Sequence, residues 1–336
     1  MYSPKAKQAT KMMRAVVSRS YGAVDTIRIE DVSVPVPADN EILVRNHATV
    51  VTAAMGAVRA GASLTPRLYF GLLKPKWPVL GTNFSGKVAA VGCAVSRFAV
   101  GDRVSGANMA SLGASAEYMV IPEDGVIVPT PDGLTDEETV ALFDGSLTAL
   151  PFLRDAAHLR AGGSILINGA AGGVGSAAVQ IAKHFGAVVT AVCSTENVDL
   201  VRSLGADKVI DRTKSDFTTN LDAFDVIFDT VGKSSFAQCR PALKANGLYM
   251  TTVPSAAILV QKLWSSRFTA KKATILFTGL STAIDITADL SQIGELARGG
   301  ALAPTIGSVS SMDEAADVYA LVDSGRKVGS AVIALP

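Results

Sequence analysis

Four glycines, Gly169, Gly172, Gly173 and Gly175, stand between a short apolar segment and a helical pattern in the stretch ILINGAAGGVGSAAVQIAKHFGA. Glycine has no Cβ, so it permits a tight turn and lets backbone N–H groups approach a ligand closely. The start of a helix adds unpartnered N–H groups and the positive end of the helix dipole. The stretch therefore predicts a pyrophosphate site, with contacts from Ala170, Gly172, Gly173, Val174 and Gly175.

The glycine spacing departs by one residue from the dinucleotide fingerprint G-x-G-x-x-G, because its three positions read Ala170, Gly172 and Gly175. A glycine-rich turn without function is the alternative interpretation. The position of the cluster between a predicted strand and a predicted helix favours dinucleotide binding, since this context is what gives the motif its meaning.

The second apolar run ends in Cys193, Ser194 and Thr195, where an NAD-selective site usually carries Asp or Glu to bind the ribose hydroxyls. The hydroxyls of Ser194 and Thr195 suit a 2′-phosphate, and we expect no carboxylate at the strand tip, with Glu196 in the first turn of the next helix. Arg212, after the following strand, is a candidate phosphate ligand or else a solvated loop charge. The prediction is NADPH rather than NADH.

Composition limits the remaining possibilities. The chain has 336 residues, 49% of them hydrophobic and 18% charged, and a formal net charge of +1. This length favours two domains, and the mean hydropathy of +0.33 fits buried parallel strands better than a membrane span, for which no apolar run is long enough. The absence of a basic patch argues against a nucleic acid partner.

Three scattered cysteines, Cys93, Cys193 and Cys239, offer neither a disulfide framework nor a zinc knuckle. We therefore expect a reducing, cytoplasmic location. The start of the chain is basic without the apolar core of a secretory signal, so residues 1–12 are predicted to be a flexible tail.

The pattern of elements changes along the chain. Residues 13–135 read as short strands and turns, and Thr135 with Glu138 forms a capping-box sequence at a helix start. From Ser164 strands and helices alternate, which is typical of βαβ units in a parallel sheet. A last strand–helix–strand run begins near residue 303. We predict an α/β protein with one β-rich domain, 13–135 and 303–336, and one doubly wound parallel-sheet domain, 136–302.

Two stretches, NGAAGGVGSAAVQIAKHFGA and PVLGTNFSGKVAAVGCAVSRFAVGDRV, resemble the medium-chain dehydrogenase/reductase superfamily, as do VRSLGADKVID and FDTVG. The resemblance runs from about residue 13 to 333 and is closest to the zinc-independent quinone oxidoreductases and enone or enoyl reductases. It implies a GroES-like catalytic domain, a Rossmann domain, a cleft between them and a homodimer.

The resemblance also shows departures from the zinc enzymes. Zinc alcohol dehydrogenases carry ligands at the positions of Thr52, Thr82 and Asp144, and this trio lacks the thiolate and imidazole groups that zinc prefers. The stretch SGANMASLGASAEYMV has no counterpart of the four-cysteine zinc lobe. We therefore expect no metal. Met55 stands where many relatives have Asp, which predicts a more apolar or differently braced pocket.

The resemblance assigns further candidates. Thr148 matches a threonine that faces the nicotinamide and ribose in relatives, with a backbone-bonded helix hydroxyl as the alternative. Thr52 and Asn83 are candidate donors to a carbonyl oxygen, or else structural. Asp144 orients a water or caps local backbone. Tyr69, with Phe70 and Trp77, is a candidate wall of a flat aromatic pocket.

Further cofactor contacts are expected after the later strands, at Val231, Thr252 and Val253, because ligands bind at strand carboxyl ends in open α/β sheets. For the apolar segment 254–272 the sequence allows three roles: a pocket wall, a dimer contact or a membrane-surface helix.

The expected function is hydride transfer from NADPH, without zinc, to a quinone or an α,β-unsaturated carbonyl. The alternatives are a zinc-free carbonyl or alcohol dehydrogenase and a non-catalytic NADPH-binding protein.

Overall fold

A computed structural model of the chain describes residues 11–61 and 64–336. Most of the predicted tail, residues 1–12, lies outside these residues, and Met12 is the first residue of a strand. The chain divides into two units. The first extends to Thr130 and includes Val309–Gly325 and Val332–Pro336, and the second comprises Pro131–Ser308 and Arg326–Ala331.

Strands make up most of the regular secondary structure before Thr130, as expected. Its strands and helices are β1 Met12–Ser18, β2 Ile27–Ser33, β3 Glu41–Val51, α1 Ala53–Ala60, α2 Leu64–Phe70, β4 Asn83–Val91, β5 Arg103–Ala107, β6 Tyr118–Pro122 and β7 Ile127–Pro129.

The second part alternates helices and strands. It contains α3 Asp136–Pro151, β8 Ser164–Asn168, α4 Gly173–His184, β9 Val188–Cys193, α5 Val198–Ser203, β10 Lys208–Asp211, β11 Phe224–Asp229, α6 Phe236–Cys239, β12 Leu243–Thr251, α7 Ala256–Phe268, β13 Lys272–Thr274, α8 Ala283–Arg298, β14 Ile306–Ser311, α9 Ala315–Asp323 and β15 Ser330–Ala334.

The first unit is built on an antiparallel sheet with the strand order β14-β15-β3-β4-β5-β7, and β6 pairs with β3. Alternate residues of these strands point inward, so that Val44, Phe84 and Val104 form part of one apolar cluster. β1 and β2 pair separately as an antiparallel hairpin, with Met12 opposite Ser33.

The second unit contains a six-stranded parallel sheet with the order β10-β9-β8-β11-β12-β13. The order reverses beside β8, the first strand, so the carboxyl ends of β8 and β11 border a topological switch point. Strand β8 is buried along Ile165–Asn168, as expected for the centre of a parallel sheet. The predicted fold class, a GroES-like β domain with a Rossmann domain, is confirmed.

The capping box predicted at Thr135 and Glu138 is present at the start of α3. The backbone N–H of Thr135 donates to Glu138 Oε2 at 2.8 Å, and Glu138 N–H donates to Thr135 Oγ1 at 3.2 Å. At the other end Pro151 closes the helix, and a π-helical turn follows at Phe152–Ala156. Both ends of α3 are thus determined by local sequence.

The unit boundaries at Thr130 and Val309 lie within six residues of those predicted, 135 and 303. Arg326–Ala331 belong to the second unit although the sequence placed all of 303–336 in the catalytic domain. Two hydrogen bonds account for this: Gly329 N–H donates to Ala171 O at 2.7 Å and Ser330 N–H to Thr305 O at 2.8 Å.

Helix α3 lies against the start of α4 at a pair of glycines. A Cβ on Gly145 would overlap the carbonyl oxygen of Gly173, so only glycine allows this approach. Gly294, in the middle of α8, differs, because a Cβ there would meet only Pro131, at 3.4 Å.

These two glycines predict opposite effects of the same substitution. Gly145→Ala should lower the free energy of unfolding by about 1–3 kcal/mol through overpacking. Gly294→Ala should raise it by about 0.5–1 kcal/mol, because alanine favours the helix. Urea unfolding of both variants measures the difference, and equal shifts would contradict the close contact of α3 with α4.

Candidate functional site

The glycine turn lies where the sequence places it, between β8, which ends at Asn168, and α4, which begins at Gly173. Gly169 has a φ of 82°, in the left-handed region that favours glycine. The N–H groups at Gly173, Val174 and Gly175 open the helix and therefore have no acceptor within it. The turn presents these donors at the carboxyl end of the sheet.

The glycines of this turn do two different things. A Cβ on Gly175 would overlap the carbonyl oxygen of Gly169, so this glycine is needed for helix and strand to pack. A Cβ on Gly172 would have only Gly169 O nearby, at 3.5 Å, and would otherwise lie in open space. Ala170 is fully buried and its N–H donates to Val192 O at 3.0 Å, so it braces the turn from inside. The cradle has the shape and the donors that a pyrophosphate needs.

At the end of β9 the hydroxyl of Ser194 is already engaged. It donates to Glu196 Oε1 at 2.7 Å and accepts from Asn197 Nδ2 at 3.0 Å. The hydrogen bond from Ser194, with a smaller contribution from the charge of Arg212, lowers the pKa of Glu196. Glu196 occupies the first turn after the strand, as predicted, but its carboxylate reaches back to the strand tip.

A second carboxylate at this edge comes from the neighbouring strand. Thr195 Oγ1 donates to Asp211 Oδ2 at 2.6 Å, and Lys214 Nζ lies 3.3 Å from the same oxygen. Hydrogen bonds from Thr195 and then Thr213 hold the pKa of Asp211 well below its usual range. The expectation of a tip without carboxylates is therefore wrong. The sequence signal that could have revealed it is Asp211 at the end of the strand-like run KVID, which the structure pairs in parallel with β9.

Arg212 stands between Asp211 and Lys214 in the sequence. The backbone N–H of Arg212 donates to Cys193 O at 2.9 Å, which fixes the backbone at the end of β9. The residue itself is exposed. The edge thus carries two carboxylates, Glu196 and Asp211, and two cations, Arg212 and Lys214.

The carboxyl end of β11 is organised by a buried carboxylate. Asp229 is fully buried and accepts from Asn168 Nδ2 at 3.0 Å, Gly232 N–H at 3.0 Å and Tyr249 OH at 3.1 Å. Ser234 also donates to it, through Oγ at 2.7 Å. Burial raises the pKa of Tyr249, so this phenol remains a donor. Asp229 therefore fixes the loop that follows β11.

That loop brings three predicted contacts together. A Cβ on Gly232 would meet Val253 Cβ at 2.6 Å, and a Cβ on Gly169 would meet Thr230 Oγ1 at 2.8 Å and overlap Val231. Val231 and Val253 are each about two-fifths exposed, at 39% and 42%. Thr252 N–H donates to Asp229 O at 3.2 Å. An apolar surface suited to a flat ring therefore lies beside the glycine turn.

Asp144 has a different environment from the one expected. It lies inside α3, where it does not cap the backbone, because residues before and after it continue the helix. Its Oδ2 accepts from Ser330 Oγ at 2.9 Å and lies 3.3 Å from Lys327 Nζ. Sequence reasoning missed Lys327. Thr148, one turn further along α3, is half-buried.

In the first unit Thr52 and Asn83 lie at the same end of a strand pair, since the register of β3 and β4 sets Thr49 opposite Phe84. Thr52 caps α1, and its Oγ1 accepts from Met55 N–H at 3.0 Å. Asn83 is buried, and its Oδ1 accepts from Thr82 Oγ1 at 2.9 Å. Both side chains thus have structural bonds while retaining donor hydrogens. Met55 belongs to the core.

The donor set at the positions of zinc ligands in related enzymes does not fit zinc. The oxygens of Thr52 and Thr82 take part in the hydrogen bonds just described, and Asp144 is paired with Lys327. None of the three is a thiolate or an imidazole. Within residues 11–61 and 64–336 no group of three or more His, Cys, Asp or Glu side chains is arranged to hold a metal ion.

Tyr69, Phe70 and Trp77 form one aromatic cluster. The ring centroids of Tyr69 and Trp77 are 5.6 Å apart, and the Tyr69 and Phe70 rings meet edge to face at 86°. The rings are inclined to one another, so they form a cluster rather than the flat walls expected. Tyr69 is the most accessible residue of the three, at 55% exposure.

The apolar segment 254–272 contains α7, which packs beside β13 through Ile258 and Ser265. Leu263 and Phe268 of the same helix are exposed. No helix in the described part of the chain is both long and apolar enough to span a bilayer. The homodimer stays a prediction.

Comparisons with known proteins agree with this architecture. Residues 38–132 match the family described as alcohol dehydrogenase GroES-like domain, and residues 204–333 match the family described as zinc-binding dehydrogenase.

Individual proteins match over most of the chain. A chloroplastic quinone-oxidoreductase homolog of Spinacia oleracea is 32% identical over 80% of this chain and 83% of its own. An NADPH-dependent alkenal/one oxidoreductase of Arabidopsis thaliana, also chloroplastic, is 35% identical over 66% and 58%. The solved quinone oxidoreductase of Coxiella burnetii has a TM-score of 0.85 and 26% identity, over 97% of this chain and 100% of its own. Because both of these plant relatives are chloroplastic, the cytoplasmic location of this protein stays a prediction.

The variant Gly172→Ala should weaken nucleotide binding at the glycine turn without destabilising the fold. Its φ of −79° and ψ of 173° suit any residue, so the melting temperature should stay unchanged. The added methyl group stands beside the first turn of α4 and should weaken NADPH binding about tenfold or more, the equivalent of one charge-assisted hydrogen bond.

Fluorescence titration with NADPH measures the affinity of Gly172→Ala. Gly299→Ala is the matched control, because it has a φ of −77° and its Cβ would come no closer than 3.4 Å to Glu295 O. It should change neither property. Equal NADPH affinity of Gly172→Ala and the parent would place the phosphate elsewhere.

Proposed function

The chain belongs to the medium-chain dehydrogenase/reductase superfamily, in its quinone oxidoreductase and enoyl reductase branch, and from that basis we propose a specific activity. The protein is an NADPH-dependent reductase of quinones or of the C=C bond of α,β-unsaturated carbonyls, and it works without a catalytic metal ion.

One observation carries the nucleotide part of the proposal, namely the open glycine cradle at the first turn of α4. The N–H groups of Gly173, Val174 and Gly175 would hold the pyrophosphate, with the helix dipole adding to the attraction. Val231, Thr252, Val253 and Thr148 would contact the nicotinamide side. A bound nicotinamide nucleotide supplies the hydride.

The substrate class follows from the donors that the first unit offers. An activated acceptor needs only a hydrogen-bond donor for the oxygen on which negative charge develops. Thr52 Oγ1 and Asn83 Nδ2, at one end of the β3–β4 pair, are the groups we assign to this role, and Tyr69 is an accessible ring for an aromatic acceptor. The names of quinone and alkenal/one relatives support the two acceptor types.

Independence from metal rests on the donor set. Oxidation of a saturated alcohol calls for strong polarisation of its oxygen, which zinc provides in related enzymes. Thr52, Thr82 and Asp144 have hydroxyl and carboxylate groups that are already engaged with protein partners. Reduction of an electrophilic acceptor needs no such polarisation.

The test is NADPH oxidation by exhaustively chelated protein with four acceptors: a naphthoquinone, an aromatic enone, a short enal and a saturated aldehyde. We expect turnover of the quinone, the enone or the enal, at an unchanged rate after chelation. Thr52→Val and Asn83→Leu should lower kcat by about tenfold to a thousandfold if each donates to the developing charge.

Other outcomes separate the rival functions. Activity restored only by added zinc would overturn the metal-free proposal. A saturated aldehyde reduced faster than the matching enal would indicate a carbonyl or alcohol dehydrogenase. Tight NADPH binding without turnover of any acceptor would support a non-catalytic nucleotide-binding protein.

The preference for NADPH rests on Arg212. It is exposed directly after β10, its backbone N–H donates to Cys193 O at the end of β9, and its charge acts on Glu196. Lys214 neutralises Asp211 at 3.3 Å, which leaves Arg212 as the cation for a 2′-phosphate. Glu196 competes with that phosphate for the guanidinium.

Removing the charge of Arg212 and removing the charge of Glu196 should shift the preference for NADPH over NADH in opposite directions. Arg212→Ala should weaken NADPH binding about tenfold and leave NADH binding unchanged, since only NADPH carries the 2′-phosphate. Glu196→Gln should tighten NADPH binding severalfold. Fluorescence titration with both nucleotides gives the ratios, and the exposed Arg160, in the loop before β8, provides the control Arg160→Ala. Equal losses for NADPH and NADH in Arg212→Ala would contradict this assignment.

A further inference from the structure

A buried pair of opposite charges lies in the second unit, between α3 and the segment that leads into β15. Lys327 Nζ is 3.3 Å from Asp144 Oδ2, and the two side chains are only 14% and 9% exposed. Ser330 Oγ donates to the same carboxylate oxygen at 2.9 Å and lies 3.3 Å from Ala141 O. The carboxylate is thus held firmly, while the lysine reaches it through a flexible stem.

This pair adjoins the glycine turn. A Cβ on Gly173, the first residue of α4, would be 2.9 Å from Asp144 Oδ2. From the same segment as Lys327, Gly329 N–H donates to Ala171 O at 2.7 Å. The ammonium, the carboxylate and the first turn of the helix therefore form one cluster.

Charged side chains beside the glycine turn decide how strongly the turn attracts a phosphate. Residues 169–175 read GAAGGVG and contain no charged side chain, so the turn itself offers only backbone dipoles to a pyrophosphate. A lone carboxylate beside it would repel the phosphates. Lys327 cancels that charge, and its ammonium carries three donors, more than the single contact with Asp144 uses.

We propose that Lys327 binds the cofactor pyrophosphate directly and that Asp144, which holds its ammonium beside the turn, competes with the phosphate for it. The inference rests on the proposed nucleotide binding at α4. In the free protein Asp144 holds the ammonium beside the turn, and in the complex Lys327 shares its donors between the carboxylate and a phosphate oxygen. Because Asp144 competes with the phosphate, the pair sets the affinity below the value that an unpaired lysine would give.

The experiment measures the dissociation constant of NADPH by fluorescence titration at low and high salt, with thermal unfolding as the check on folding. The variants are Lys327→Met, Lys327→Arg, Asp144→Asn and the double variant Lys327→Met/Asp144→Asn. The control is Lys208→Met, since Lys208 begins β10 at the opposite edge of the sheet and is exposed.

Direct contact predicts a distinct pattern. Lys327→Met should weaken NADPH binding by about tenfold to a hundredfold and reduce its salt dependence, as expected for the loss of a charge-assisted hydrogen bond. Lys327→Arg should restore most of the affinity. Asp144→Asn should tighten binding severalfold, and Lys208→Met should leave it unchanged.

The double variant distinguishes direct contact from mere neutralisation. If Lys327 touches the phosphate, the double variant lacks that contact and binds NADPH about tenfold or more weakly than the parent. If Lys327 only cancels the charge of Asp144, the double variant regains the parent affinity, and the inference is overturned. A parent protein that binds no NADPH would instead overturn the proposed function, whereas normal binding with an unaffected Lys327→Met overturns this inference alone.

Discussion

The second unit depends on the approach of Gly175 to the carbonyl oxygen of Gly169, which no larger residue would permit. This contact lets α4 begin immediately after β8, so that its unpartnered N–H groups emerge at the carboxyl edge of the sheet. A second glycine contact, between Gly145 and Gly173, draws α3 against the same turn. Through it α3 brings Asp144 to the turn.

Charge is distributed unevenly along this edge. At the β9–β10 end the carboxylates of Glu196 and Asp211 are matched by the cations Arg212 and Lys214. The hydroxyls of Ser194 and Thr195 donate to these carboxylates. In the middle, the buried Asp229 is satisfied by amide, hydroxyl and backbone donors. The part of the edge beyond Asp229 is apolar at Val231 and Val253. Such a gradient would orient a dinucleotide along the edge, with its charged groups toward the helix start and β10.

The sequence predicted what local patterns determine. The strand that ends at Asn168, the helix that runs to His184 and the capping box at Thr135 are all confirmed, because glycine, capping and periodicity act over a few residues. Asp211 was missed because its partner Thr195 lies in the turn after a neighbouring strand, and Lys327 because it meets Asp144 from a distant part of the chain. Roles assigned by resemblance at Thr52, Asn83 and Tyr69 remain predictions, since their pockets are formed by tertiary contacts that periodicity does not encode.

The hydrogen bond from Gly329 to Ala171 has a consequence for the order in which the protein is made. A ribosome delivers the glycine turn well before the segment Arg326–Ala331, so the nascent turn lacks one wall until that segment has been made. During that interval the carbonyl of Ala171 must be hydrated, and Asp144 has no lysine beside it. The growing chain therefore meets the cellular nucleotide pool with an unfinished cradle, and chains that stop before Arg326 would lack the same wall.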